Sequence, residues 1–170
     1  MSNGLRSLVL SSCLAVLVAV APAPAVAKRG GTDRPLHGAG VGTSTVDLAT
    51  GMATSQGTAR FSHLGKTSFG LSAQITITGP NTIALSGAGT FVAANGDELR
   101  TTLTGTGTFT GIGPPSTAQY TLVLTVTGGT GRFADASGTI TASVDQEDVS
   151  QTGTVIGTRE TFTAEGTLSY

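Results

Sequence analysis

The segment Thr127–Gly138, TGGTGRFADASG, decides the fold of this chain. It lies between two runs, residues 118–127 and 138–146, in which apolar and polar side chains alternate. Its glycines permit the positive φ angles that a tight change of chain direction requires. The segment therefore predicts a corner between two strands of a small antiparallel barrel, and it argues against an enzyme whose site is carried by a helix.

The same alternation extends over the rest of the chain from about Val41. In residues 69–77, for example, every second residue is apolar and the residues between are Gly, Ser, Gln or Thr. Successive side chains of a strand point to opposite faces, so this period predicts a sheet with one buried side. Threonine suits the other side because its β-branched side chain is stiff.

Turn signals divide the alternating sequence into about eight runs, and Asn95-Gly96 is the strongest hairpin signal among them. The runs lie near residues 41–49, 53–63, 67–78, 82–94, 97–110, 118–127, 138–146 and 153–168. Short connections between successive strands are typical of an up-and-down meander. We therefore predict an all-β, eight-stranded antiparallel up-and-down barrel, with a kinked two-sheet sandwich as the alternative.

Residues 1–27 have the layout of a secretory signal peptide. Arg6 gives a positive start, Leu8–Val20 is apolar, and Ala25-Val26-Ala27 forms a small-x-small cleavage site. The apolar run is shorter than the roughly 20 residues of a membrane-spanning helix. We expect a signal-peptide helix and a secreted, extracytoplasmic protein, with an uncleaved anchor as the alternative. Residues 28–40 are interpreted as a flexible tail and residues 41–170 as one barrel domain.

Composition argues against several classes of function. Nine Lys and Arg stand against ten Asp and Glu, with no basic stripe, so neither nucleic acid nor an anionic membrane is a predicted partner. Cys13 is the only cysteine and lies in the signal segment. The chain has no Gly-x-Ser-x-Gly elbow and no Cys/His set with metal spacing. We therefore predict no metal site and no cofactor.

Several glycine-rich segments resemble those of one known family. Gly128–Gly138 resembles the Gly-Gly-Thr-Gly-aromatic-Ala-Gly corner of allene oxide cyclase and plant dirigent proteins. Gly87–Phe91 and Gly105–Phe109 are similar to the glycine-and-aromatic strands of that family, and His63-Leu64-Gly65 is similar to a segment of its short exported bacterial members. The resemblance covers residues 40–170. It implies an eight-stranded, calycin-like barrel with a mostly apolar cavity, frequent homotrimers and cofactor-free chemistry.

Three residues are candidates for ligand binding: His63, Tyr120 and Glu160. His63 shares the face of Phe61 at a strand end, where it could exchange a proton at the cavity mouth or bond only to backbone. Tyr120 lies on an apolar face, and its hydroxyl needs a partner there. Catalytic residues are not assigned.

Glu160 shares the apolar face of the last strand. A carboxylate in a dry interior is costly unless it is paired, and such groups are candidates for functional sites. A bulge near Gly157 would instead rotate the early half of the strand outward, and this is the interpretation that we favour from the sequence.

The inward-facing small residues can leave space in the barrel. We therefore predict an exported, non-enzymatic protein that binds a small, mostly apolar molecule. An isomerase or cyclase, or a dirigent-type protein that orients a reactive intermediate, is one alternative. A structural, envelope-associated protein with a solid core is another, and an outer-membrane barrel is disfavoured because aromatic girdles are lacking.

Overall fold

Eight antiparallel strands close into one barrel in the computed structural model, which describes residues 32–170. The strands are β1 (Arg34–Asp47), β2 (Met52–Phe61), β3 (Gly65–Gly79), β4 (Thr82–Val92), β5 (Glu98–Phe109), β6 (Thr117–Gly129), β7 (Ser137–Thr152) and β8 (Val155–Ser169). Each strand pairs with its neighbours in the chain, and β8 pairs with β1 along the whole length of β1. The predicted up-and-down barrel is confirmed, and the open sandwich is excluded.

The predicted signal peptide, residues 1–27, lies outside the described residues. Within residues 32–170, no helix has the length and apolarity needed to cross a membrane.

The first strand begins at Arg34, so the predicted boundary at residue 41 was wrong and residues 34–40 are not a tail. Leu36 is completely buried in this part of the strand. The alternation is hidden here because glycine occupies the inward positions. A Cβ at Gly38 would lie 2.1 Å from the ring of Phe61, so a ring from β2 fills the space that an apolar β1 side chain would otherwise take.

Four phenylalanine rings pack together inside the barrel. Phe61, Phe69, Phe91 and Phe162 contact one another with ring centroids 5.5 to 6.4 Å apart. Gly57 makes room for them, since a Cβ there would lie 2.8 Å from Cζ of Phe69. Each buried aromatic ring contributes about 1.5–3 kcal/mol through the apolar surface it removes from water. The interior is therefore largely a packed core.

One end of the barrel is closed by the glycine-rich segment Thr127–Gly138, which we call the glycine corner. We call this end the closed end; it holds the connections 62–64, 93–97 and 130–136. A 3-10 turn, Gly131–Phe133, places the ring of Phe133 completely out of solvent and 5.1 Å from the ring of Tyr170. The guanidinium of Arg132 covers both rings and donates to the backbone oxygen of His63. The glycine corner thus closes this end of the barrel.

The opposite end, which we call the open end, carries the connections 48–51, 80–81, 110–116 and 153–154. Four aliphatic side chains around it are 41–62% exposed: Leu48, Ile77, Ile112 and Val155. Leu48, Ile77 and Ile112 line a groove of about 100 Å³ that runs inward toward Ala118. Access to the interior is therefore expected from this end.

Candidate functional site

The barrel encloses a cavity of about 80 Å³ to which all eight strands contribute. Its lining is mostly aliphatic and aromatic, with a polar group of side chains on one side. A single water needs at least about 10–15 Å³, and sites for drug-sized ligands have several hundred. The cavity therefore accommodates a few water molecules or one small chemical group. It adjoins the groove at the open end, because five residues line both spaces: Val46, Ile75, Ile83, Ala118 and Gln146.

Glu160 lies inside the barrel with only 5% of its surface exposed. Its Oε1 accepts hydrogen bonds from Ser44 Oγ at 2.6 Å, Tyr120 Oη at 2.9 Å and Ser55 Oγ at 3.2 Å. Ser44 Oγ also lies 2.6 Å from Thr158 Oγ1. These bonds offset part of the cost of burying the carboxylate, and they connect β8 to β1, β2 and β6 through the interior.

The sequence-based interpretation that a bulge turns Glu160 outward was wrong. A register shift does occur next to Gly157, but its extra residue is Val149 on β7, between Asp148 and Ser150. Val149 has no pairing partner on β8, and its side chain is 47% exposed. The alternation of β8 is therefore uninterrupted, and Glu160 keeps the inward direction that its position predicts.

Tyr120 reaches Glu160 from β6, directly beside the cavity. Burial raises the pKa of the Tyr120 phenol well above its usual value, and the nearby Glu160 carboxylate raises it further through its charge and the hydrogen bond. The phenol is therefore a hydrogen-bond donor at neutral pH. This arrangement confirms that the hydroxyl of this partly buried tyrosine has a polar partner.

We expect the Tyr120 phenol to titrate only well above pH 10 in the folded protein. Tyr170→Phe leaves it as the only tyrosine, since the chain has two, and tyrosinate absorbance then follows it alone. The pKa of Tyr120 is higher in the folded than in the unfolded protein. The contribution of the protonated phenol to the unfolding free energy is therefore complete below the unfolded-state pKa of about 10, and it is lost as the pH rises through the folded-state pKa. Tyr120→Phe in this background should remove that loss of unfolding free energy, and a native phenol titrating near 10 would contradict the buried contact.

Further polar groups continue from the Tyr120–Glu160 pair toward the open end. Tyr120 Oη lies 3.4 Å from Gln146 Oε1, and Gln146 Nε2 donates to Asp148 Oδ1 at 3.3 Å. The second oxygen of Asp148 accepts from the backbone N–H of Gly113 at 3.0 Å. A continuous polar strip thus links the cavity to the connection 110–116.

Sequence reasoning missed Ser44, Ser55 and Gln146. Each shares the inward face of its strand, which was the available signal, but Ser and Gln are also common on outer faces. Only the register shows their proximity: Ser44 pairs with Ser55, and Gln146 pairs with Glu160.

His63 does not line the cavity. Its strand ends at Phe61, and His63 is an exposed residue of the next turn with a φ of 69°. Its Nε2 lies 3.1 Å from the backbone oxygen of Pro35, at the closed end. The structure therefore brings Tyr120 and Glu160 together and leaves His63 apart. Residues 32–170 contain no group of three or more metal-ligating side chains.

Comparison with protein-family models, with curated proteins and with solved structures yields no match for this chain. The interpretation of the site therefore rests on its own chemistry, which is a small apolar cavity with one buried carboxylate and several hydroxyl donors.

Proposed function

We propose that this protein is exported and that it binds a small, mostly apolar molecule in the barrel without transforming it. The observation that carries the proposal is the apolar groove at the open end, which adjoins the internal cavity. Contiguous exposed apolar side chains commonly mark a binding site. The signal-peptide pattern of residues 1–27 supports export.

The size of the two spaces limits the ligand. The cavity of about 80 Å³ and the groove of about 100 Å³ together fall below the several hundred Å³ of a drug-sized site. A ligand with one end in the cavity and the remainder in the groove fits this arrangement. We infer a molecule with a short chain or a single small ring.

The junction between the two spaces offers a direct test at Ala118, which is 8% exposed and lines both. We expect Ala118→Phe to fill the junction and to weaken binding of n-hexanol at least about tenfold, which corresponds to roughly 1.4 kcal/mol. Isothermal calorimetry measures the affinity, and the ligand-induced rise in melting temperature checks it independently.

Val123→Phe is the matched control, because Val123 lies on the outer wall of the same strand and is 39% exposed. It should bind n-hexanol like the wild type. Unchanged affinity in a folded Ala118→Phe variant would exclude this route into the barrel. The absence of any binding by the wild type across a panel of small alcohols, arenes and amines would overturn the proposed function.

One observation favours an isomerase or cyclase as a second candidate. Tyr120 and Glu160 place a phenol donor and a carboxylate 2.9 Å apart beside a cavity, and such a pair can hold a reactive intermediate in one conformation. The resemblance to allene oxide cyclase and dirigent proteins supports both candidates. Recovering the bound ligand chemically unchanged after long incubation would favour the binder over the isomerase.

A further inference from the structure

Glu160 has hydrogen-bond donors but no counter-ion. No Lys, Arg or His from residues 32–170 lines the cavity, and the groups that donate to Glu160 are neutral hydroxyls. Buried carboxylates in proteins are usually paired with a cation or a metal. The interior thus holds a negative charge that the described part of the chain does not neutralise.

One oxygen of this carboxylate remains available. All three hydrogen bonds go to Oε1, and no side chain of the described residues donates to Oε2. Every fully buried side-chain nitrogen or oxygen in residues 32–170 has a hydrogen-bond partner. Because Oε2 of Glu160 has no such partner, it is not fully buried. Glu160 lines the cavity, so its Oε2 faces the open space there, and a ligand can donate a hydrogen bond to it.

The surroundings of the carboxylate also favour a positive charge. The ring of Phe162 lies two residues along the same face of β8, and Phe69 lines the same cavity. The faces of aromatic rings attract cations. The four connections of the open end contain no basic residue, whereas Asp47 and Asp148 lie in strands beside them. The entry path therefore adds negative rather than positive potential.

We propose that the ligand is a small lipophilic amine. Its protonated nitrogen donates to Oε2 of Glu160, and its apolar body extends past Ala118 into the groove at the open end. A neutral molecule of the same shape leaves the carboxylate without a counter-ion, and an anion is repelled by it. This inference rests on the proposed function and specifies the chemical class of its ligand.

Three probes of equal chain length test the inference on the wild-type protein: n-hexylamine, n-hexanol and hexanoate. Near neutral pH we expect n-hexylamine to bind about ten- to a hundredfold more tightly than n-hexanol, as for hydrogen bonds to charged groups. Hexanoate should bind least. Calorimetric titration at two salt concentrations gives the affinities and separates the buried interaction from screened surface attraction.

Glu160→Gln keeps the shape and one acceptor oxygen but removes the charge. It should reduce the affinity for n-hexylamine to that for n-hexanol and leave the n-hexanol affinity nearly unchanged. Asp145→Asn is the matched control, since Asp145 is exposed and accepts from Gln119 on the outer wall. It should retain the full preference for the amine.

The outcomes separate the two proposals. Equal affinities of the wild type for n-hexylamine and n-hexanol, or a preference that survives in Glu160→Gln, would overturn the amine assignment and leave the binding function standing. If none of the three probes binds, and no member of the wider panel does, both proposals fail. The probe series on the wild type decides the matter even if Glu160→Gln does not fold.

Discussion

Alanine at Gly87 is expected to destabilise the barrel by about 3 kcal/mol, at the upper end of the usual cost of overpacking. A Cβ at this position would lie 2.0 Å from the backbone oxygen of Ser72 and 2.7 Å from Cα of Ala73. Both atoms belong to β3, which pairs with β4 at this point. Because these are backbone atoms, they cannot rotate away as a flexible side chain can. Urea unfolding of the variant should show the loss as a lower midpoint with an unchanged slope.

Gly70→Ala is the matched control for this prediction. Gly70 lies in the middle of β3, within the same strand pair, and a Cβ there would meet no atom within 4 Å. Alanine should stabilise the protein at this position by about 0.5 kcal/mol, because it loses less backbone entropy on folding than glycine does. Equal stability of Gly87→Ala and the wild type would show that the barrel wall is looser there than described.

Strands β3 to β6 could be predicted from the sequence because successive side chains in a barrel wall point alternately to the inside and to the outside. Ile83, Leu85 and Phe91 alternate with smaller or polar residues, and the predicted strand 82–94 corresponds to Thr82–Val92. The alternation reports the buried face directly. The first half of β1 could not be predicted in this way, because the side chain that occupies the space inside Gly38 belongs to Phe61 on a neighbouring strand.

The candidate site could be predicted only in part. The position of Glu160 in its strand indicated an inward carboxylate, but the sequence does not show which strand of a pair carries a bulge. Here it is β7, at Val149. His63 was misplaced because the two-residue spacing from Phe61 to His63 looks like strand alternation, whereas β2 ends at Phe61. Contacts across the barrel depend on strand register, which short-range patterns do not contain.

Phe133→Ala is expected to cost about 3–5 kcal/mol, the range for truncating a fully buried phenylalanine. The ring is 0% exposed at the closed end, it packs edge-to-face on Tyr170, and Arg132 lies 4.6 Å above its centroid. Removing it leaves a void that the neighbouring turn residues fill only in part. A typical domain is stable by about 5–15 kcal/mol, so the variant should lose a large share of its folding free energy.

Phe109→Ala is the matched control at the opposite end of the barrel. Its ring is only half-buried beside the groove of the open end, so we expect it to cost roughly 1–2 kcal/mol because less apolar surface is lost. Both variants remove the same atoms. The difference between their unfolding free energies therefore isolates the contribution of the Phe133 ring to closing the barrel. Phe133 does not line the cavity, so folded Phe133→Ala should still bind n-hexanol with wild-type affinity. A loss of stability no larger than that of Phe109→Ala would contradict the description of the glycine corner as the closure of the barrel, whereas a loss of binding would contradict the assignment of the ligand to the open end.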